Sequence, residues 1–177
     1  MLLIVAATDA RLETVLDHMR LENAHDFAAC VAKFGSAKYE VLADGTTYDG
    51  HDAVEGFLDD NVQAFPDFHF EPVRISPAPE VVVVEGRFHG THLGTWRGLP
   101  ATGRRVDFPM CLVFEFEGDS MVNERIYMDL GTPLRQLGVA FDPNSTAFKV
   151  VTATTHPITL SRALFSGLRR RFSRRQD

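Results

Sequence analysis

The chain has 177 residues, 45% of them hydrophobic, and a formal net charge of −6, which is typical of one globular domain with a substantial core. The charge is uneven, since residues 159–177 hold six arginines against one aspartate. The remaining body is therefore strongly acidic, which argues against nucleic acid as a partner.

The first predicted elements are helical. Apolar residues recur at helical spacing over residues 9–34, and a pause near residues 23–26 leaves two helices and one bent helix both open. The apolar start, residues 1–7, lacks the basic flank of a signal peptide and is too short to cross a bilayer, so we expect a cytoplasmic protein. Cys30 and Cys111 lie in apolar runs, which favours buried thiols over a disulfide.

Strands dominate the middle of the chain. Extended runs around Asp44-Gly45 predict a hairpin, and residues 51–64 predict a helix that ends at Phe65-Pro66-Asp67. Longer strands are predicted at 68–75, 81–93, 106–117 and 121–129, the last two as a hairpin around Gly118-Asp119. This order predicts an α+β fold with a strongly curved, mostly antiparallel sheet.

The domain prediction has three parts. Residues 1–141 form the domain, the Thr- and Pro-rich residues 142–157 a linker, and residues 158–177 a basic amphipathic tail. In the tail, Leu160, Leu164, Leu168 and Phe172 recur every four residues. Three outcomes stay open: the tail packs on the acidic body, stays disordered, or makes weak contact with an anionic membrane surface.

The chain contains a series of short motifs: Phe65-Pro66-Asp67, Gly90-Thr-His92-Leu-Gly94, Gly98–Arg104, Glu124–Asp129 and Leu134–Gly138. Together these motifs resemble the signature of SnoaL-like polyketide cyclases, a branch of the NTF2-like superfamily. The resemblance covers about residues 10–140.

The resemblance implies an NTF2-like cone, in which a curved sheet wraps helices around an apolar pocket. In the cyclases, an aspartate near the end of the last strand acts as acid/base in an intramolecular aldol closure, without metal or organic cofactor; the matching position is Asp129. The resemblance also implies a homodimer that pairs through the outer sheet face. The residues expected on that face include Cys111, Val113, Val122 and Ile126.

The register of the last hairpin predicts the pocket. With Gly118-Asp119 as the turn, Phe108 faces Asp129 and Met110 faces Tyr127. The predicted pocket face then carries Phe108, Met110, Leu112, Arg125, Tyr127 and Asp129.

On that face, an aspartate beside Phe108 loses hydration, which raises its pKa, and Tyr127 can donate a hydrogen bond to an enolate. The alternative is that Asp129 caps the following turn, that Arg125 pairs with a surface carboxylate, and that Tyr127 belongs to the core.

The strand at 81–93 adds further candidates. Phe88 and His92 share its concave face, and Trp96 follows at the expected pocket mouth. His92 either shuttles a proton or hydrogen-bonds backbone at the strand end. The other histidines lack the spacing of a metal site and are expected to be solvated or to cap helices: His18, His25, His51 and His69.

These residues favour cofactor-free acid/base chemistry, a cyclisation or an isomerisation, on a small apolar carbonyl compound. Asp129, His92 and Tyr127 are the expected catalytic residues. The expected substrate-binding residues are Phe88, Trp96, Phe108, Met110, Leu112 and Arg125. The alternative is a non-catalytic binding protein for a small hydrophobic ligand, and whether the protein is an enzyme stays open.

Overall fold

The structure, a computed structural model, describes residues 2–163. The helices are α1 (Leu2–Asn23), α2 (Phe27–Val31), α3 (His51–Ala64), α4 (Gly131–Gln136) and α5 (Thr146–Thr155). The strands are β1 (Lys38–Val41), β2 (Thr46–Asp49), β3 (His69–Pro77), β4 (Val81–Thr91), β5 (Arg105–Glu117) and β6 (Ser120–Met128). The chain divides into two units, residues 1–137 and 138–177.

The six strands of the first unit form one curved sheet in the order β2-β1-β6-β5-β4-β3. Neighbouring strands are antiparallel except β1 and β6, which run parallel. Helix α1 contacts β3 and β4, while α3 contacts β1 and β2, so the helices cover one face of the sheet. The α+β fold with a curved, mostly antiparallel sheet that the sequence predicts is confirmed.

The break between the first two helices is sharp. Helix α1 ends at Asn23, His25 adopts a positive φ of 57°, and the Asp26 side chain caps α2 by accepting a hydrogen bond from the Ala29 amide. Two helices therefore form rather than one bent helix. At the end of α1, the Asn23 side chain donates to the Phe70 carbonyl at 2.9 Å and accepts from the Phe70 amide at 2.8 Å, which joins the helix to β3.

The β5–β6 hairpin contains a bulge that the sequence-based register lacks. Glu117 pairs with Ser120 and Phe116 with Met121, as predicted, but Glu115 then pairs with Asn123, so Val122 is an extra residue. A one-residue slip moves every later side chain to the opposite face of the sheet. The predicted register is therefore wrong beyond Val122.

The corrected register changes which residues of β6 face the helices. Met110 pairs with Met128 and Leu112 with Ile126, so Ile126 turns inward instead of belonging to the outer face. Tyr127, on the outer face, is 43% exposed.

The second unit contains helix α5 within the segment predicted to be a linker. Ser145 begins this helix by accepting a hydrogen bond from the Phe148 amide at 3.0 Å. Residues 157–163 are also helical. The rest of the predicted amphipathic tail, residues 164–177, lies outside the described residues. Within residues 2–163, no helix combines the length and the apolar character needed to cross a membrane.

Candidate functional site

A cavity of about 820 Å³ lies between the sheet and helices α1 and α3. Its size is within the range of small-molecule binding sites. Most of its wall is aromatic or aliphatic: Phe57, Phe65, Phe68, Phe70, Phe88, Trp96, Phe108, Met110, Leu112, Ile126 and Met128. The cavity is thus suited to a small apolar guest.

Five of the six predicted substrate-binding residues line this cavity: Phe88, Trp96, Phe108, Met110 and Leu112. Alternation along β4 and β5 places them there, because each strand turns every second side chain to the concave face. The Phe88 ring stacks on Phe108 with centroids 5.2 Å apart and on Phe68 at 5.7 Å. These contacts hold one wall of the cavity rigid.

Asp129 lies outside the cavity, with 62% of its side chain exposed. It accepts hydrogen bonds from the Gly131 amide at 2.8 Å and the Thr132 hydroxyl at 2.6 Å, at the start of α4. These two bonds, aided by Arg135, lower the pKa of Asp129. The prediction that Asp129 lines the pocket beside Phe108 is therefore wrong, and its side chain caps the next turn.

Arg125 and Tyr127 also lie on the outer face, as the bulge requires. Arg125 forms ion pairs with Glu40 at 2.7 Å and Glu115 at 2.8 Å. These residues lie across three neighbouring strands, and the pairs stabilise the outer surface of the sheet. Neither Arg125 nor Tyr127 lines the cavity.

His92 is fully buried but does not line the cavity. Its Nδ1 accepts a hydrogen bond from the Thr102 amide at 3.3 Å and lies 3.1 Å from the Thr102 hydroxyl. Its ring packs on Phe65 with centroids 5.2 Å apart. Burial lowers the pKa of His92, so the ring stays neutral and holds the loop after β4 in place.

One end of the cavity carries a group of buried polar side chains, named here the buried polar cluster: His18, Glu22, Cys30, Tyr39 and Glu124. Glu22 and Glu124 line the cavity, and the other three lie behind them. His18 Nε2 lies 3.2 Å from Glu124 Oε2, 3.6 Å from Glu22 Oε2 and 3.1 Å from the Tyr39 hydroxyl. Two carboxylates therefore share one imidazole at the wall of an apolar cavity.

The cluster shifts the pKa of Glu22 and the pKa of His18. Burial, and then repulsion from Glu124, raise the pKa of Glu22 to about 7. Burial by itself lowers the pKa of His18, but its contacts with Cys30 and Glu124 outweigh burial and raise that pKa well above its usual value. Near neutral pH, His18 is thus cationic while Glu22 is poised between its two protonation states.

The cluster can exchange protons with a guest in the cavity. Glu22 has 18% of its side chain exposed, whereas Glu124 has 2%. Glu22 is thus the more accessible of the two carboxylates. Tyr39 and His18 are fully buried and can relay or hold a proton behind it.

An ion pair closes part of the cavity mouth. The Arg97 guanidinium pairs with Asp44 and lies over the Trp96 ring, 5.4 Å from its centroid. Burial raises the pKa of Asp44, but the contact with Arg97 and the hydrogen bonds with Thr46 together outweigh burial and lower that pKa overall. This pair joins the loop after β4 to the β1–β2 turn, so it stabilises the position of Trp96.

Sequence reasoning missed the cluster for two reasons. The prediction that His18 is solvated or caps a helix is wrong, because His18 is fully buried. His18 and Glu22 lie one turn apart on the same stripe of α1 as the buried Val15 and Met19. A polar pair within an apolar stripe is therefore the sequence signal from which the buried polar cluster could have been predicted. The predicted register places Arg125 and Tyr127 on the pocket face and so turns Glu124 to the opposite face, because the Val122 bulge is invisible in the residue pattern.

Comparisons with known proteins place the fold among characterised structures. A phenazine biosynthesis-related protein from Pseudomonas aeruginosa matches with a TM-score of 0.67 and 19% identity, over 78% of this chain and 92% of that one. A hypothetical protein with a ketosteroid isomerase-like fold from Catenulispora acidiphila, solved with trimethylamine, matches with a TM-score of 0.61 and 19% identity, over 72% and 94%. At this identity the likeness is one of fold.

A third structure, an NTF2-like protein of unknown function from Burkholderia pseudomallei, matches with a TM-score of 0.63 and 18% identity, over 72% of this chain and 97% of that one. These matches confirm the predicted NTF2-like fold. No curated protein matches the chain. The family model of the SnoaL-like polyketide cyclases matches residues 7–137, which is most of the first unit. Because that match spans more than half of the sequence, the chain belongs to the SnoaL-like polyketide cyclase family.

Proposed function

We propose that the protein catalyses cofactor-free proton transfer, an isomerisation or a ring closure, on a small apolar carbonyl compound bound in the cavity. One observation carries this proposal: two carboxylates, Glu22 and Glu124, line an aromatic cavity and share the imidazole of His18. An apolar site strengthens such a base because water does not solvate the carboxylate. Membership of the cyclase family supports the same class of chemistry.

In this mechanism Glu22 is the base. Its pKa of about 7 gives a useful fraction of carboxylate at neutral pH together with strong basicity. Glu22 removes a proton from the carbon next to the substrate carbonyl, and the electron pair moves into the enolate. Return of the proton from Glu22 to another carbon of the conjugated system completes an isomerisation. Attack of the enolate carbon on a second carbonyl instead closes a ring, and Glu22 then returns its proton to the alkoxide that forms.

Glu124, His18 and Tyr39 act behind the base. The ion pair of His18 with Glu124, 3.2 Å long, keeps one positive charge beside Glu22 and partly offsets the repulsion between the carboxylates. The Tyr39 hydroxyl, 3.1 Å from His18 Nε2, fixes the plane of the ring. This support holds Glu22 at the cavity wall, so the proton moves without rearrangement of the cluster.

A non-catalytic binding protein is the second candidate. The aromatic wall, including Phe68, Phe88 and Phe108, suffices to hold a hydrophobic ligand without any chemistry. The two candidates differ in what Glu22 does, since a binder uses the wall whereas an enzyme needs the base. An assay that reads proton removal and binding separately therefore distinguishes them.

The test uses a probe that needs only a base in an apolar pocket. We expect the protein to catalyse the Kemp elimination of 5-nitrobenzisoxazole, in which a base removes a carbon-bound proton and the ring opens to a coloured phenolate. Glu22→Gln should lower kcat/KM by about 100-fold, the usual size of a lost general base. Binding of the probe, read from the fluorescence of Trp96, should change little, because glutamine keeps the shape of the wall.

Asp129→Asn is the matched control, since it makes the same kind of change on the outer face. It should leave both turnover and binding unchanged, which reverses the expectation drawn from the family resemblance. Probe binding without turnover would favour the non-catalytic binder. Loss of turnover in Asp129→Asn, with Glu22→Gln unaffected, would refute the assignment of the base.

A further inference from the structure

The second unit exposes many apolar residues and has no core in its described part. No residue of 138–163 is buried, and helix α5 buries none of its side chains. Within residues 10–163, eleven large apolar side chains are exposed, and six of them belong to this short stretch: Val139, Phe141, Phe148, Val150, Val151 and Ile158. Apolar residues concentrated in this way on a surface mark an interaction site.

Basic residues stand beside these apolar ones. Phe148 and Val151 lie three positions apart and share one face of α5, while Lys149 falls on the other side. In the helical residues 157–163, Ile158 and Arg162 lie four positions apart and so share a face. The described part of the second unit therefore combines apolar and basic side chains along its helices.

The charge of the second unit is opposite to that of the first. Residues 138–177 contain Lys149 and six arginines against Asp142 and Asp177, a net charge of +5, so residues 1–137 carry −11 of the total of −6. Five of the six arginines fall within residues 169–175. A dense basic block that adjoins an apolar helix is the sequence pattern of binding to anionic lipid.

An anionic membrane surface suits both properties of this segment. Arginines pair with lipid phosphates, while phenylalanine and aliphatic side chains enter the boundary between headgroups and acyl chains. Nucleic acid would engage the arginines alone and would leave Phe148, Val151 and Ile158 in water. The apolar residues therefore favour a lipid surface over a nucleic acid.

We propose that residues 138–177 bind the protein to an anionic membrane surface. The apolar side chains of α5 and Ile158 enter the headgroup region, and the arginines pair with lipid phosphates. Because charge and apolar burial act together, binding is reversible and weakens as salt screens the charges. The proposal is independent of the chemistry proposed for the cavity, whose lining residues belong to the first unit.

The experiment measures sedimentation of the full chain with two kinds of vesicle. One kind is phosphatidylcholine alone, and the other contains about one third phosphatidylglycerol, which supplies the negative charge. Affinity for the anionic vesicles should exceed affinity for the neutral ones by about tenfold or more. Raising the salt concentration should remove most of this difference.

Two variants separate the apolar part from the basic part. Phe148→Ser combined with Val151→Ser should weaken binding to anionic vesicles by about tenfold. The matched control combines Leu16→Ser with Leu93→Ser, which alters two exposed apolar residues of the first unit and should bind as the wild type does.

The basic part is tested in the same way. A triple change to glutamine at Arg169, Arg170 and Arg171 should also weaken binding to anionic vesicles by about tenfold, and should leave the weak binding to neutral vesicles unchanged. The control makes the same change at three exposed arginines of the first unit: Arg74, Arg104 and Arg105.

The proposal is overturned if the wild type binds neither kind of vesicle, binds both equally, or binds no better than the two variants of the segment. A lower Tm of the Phe148→Ser/Val151→Ser variant without lipid, together with a wild type that binds no vesicle, would show that the segment packs on the protein itself. Binding to duplex DNA as tight as to anionic vesicles, and equal in that variant, would overturn the choice of lipid. Kemp turnover without lipid should be unchanged in these variants, so failure of the proposed function and failure of membrane binding are read separately.

Discussion

Burial couples the protonation of Glu22 to folding. Its pKa rises from 4.5 to about 7 in the folded chain, because burial and the nearby Glu124 both disfavour its charge. Between these two pH values the unfolded chain loses the proton while the folded chain keeps it. The free energy of unfolding therefore falls as pH rises through this window, by roughly 3 kcal/mol at most for this one group.

Glu22→Gln should remove this part of the pH dependence, since glutamine is neutral at every pH. Denaturant unfolding from pH 4.5 to 8 should show a shallower fall in stability for Glu22→Gln than for the wild type, and higher stability at pH 8. Glu13→Gln, an exposed change on the same helix, should keep the wild-type slope. Parallel curves for Glu22→Gln and the wild type would show that Glu22 is not protonated by burial.

At the residue scale the sequence predicts the apolar wall well and the polar cluster poorly. Phe88, Phe108 and Leu112 follow from the alternation of single strands, which is a local property. The cluster depends on long-range packing, because His18 and Glu124 are 106 positions apart and meet only in the folded chain. No spacing rule links two such positions.

At the scale of elements, the loop after β4 is held against the end of α3. The amides of Leu93 and Gly94 both donate to the Ala64 carbonyl, at 2.9 and 3.1 Å. A Cβ at Gly94 would overlap the backbone oxygen of Gln63, so only glycine permits this approach. Because Trp96 follows directly, this contact positions the cavity mouth.

Gly94→Ala should lower the free energy of unfolding by about 1–3 kcal/mol, the usual cost of overpacking, and weaken probe binding at Trp96. Gly56→Ala is the matched control: it lies within α3 with open space around its Cα, and should be neutral or stabilising by up to about 1 kcal/mol. Denaturant unfolding and fluorescence titration check both. A Gly94→Ala protein as stable as Gly56→Ala would show that the loop does not pack this closely.

The elements themselves could be predicted, but one irregularity could not. Helix α3 has the predicted bounds, His51–Ala64, and the turn at Gly118-Asp119 forms as expected. The bulge at Val122 has no signature in the residue pattern, because Val122 suits either face of a strand. That single residue moves Glu124 into the cavity and Asp129 out of it.

At the scale of the whole molecule, the outer sheet face remains partly apolar. Val73 is 70% exposed and Tyr127 43%, and both line a shallow depression that also includes Cys111. A face of this kind is costly to leave in water. We therefore keep the prediction of a homodimer that pairs through this face.

Light scattering at micromolar concentration should give about twice the 19.7 kDa mass of one chain. Val73→Asp should shift the protein to a single-chain mass, because a charge buried between two sheets has no partner there. Val150→Asp alters a similarly exposed residue of α5 and should leave the mass unchanged. A wild-type protein with the mass of one chain would contradict the prediction.

The central claim is that the base of this protein is the carboxylate Glu22 in the cavity. The pH dependence of kcat/KM for the Kemp elimination tests it most directly, because this ratio follows the ionisation of the free enzyme. We expect the kcat/KM of the wild type to rise with pH, with a midpoint at about 7, and then to level off. The pH profile of Asp129→Asn should coincide with that of the wild type, whereas the profile of Glu22→Gln should lack the rise. A rate that persists unchanged in Glu22→Gln, or that follows Asp129 instead, would contradict the account.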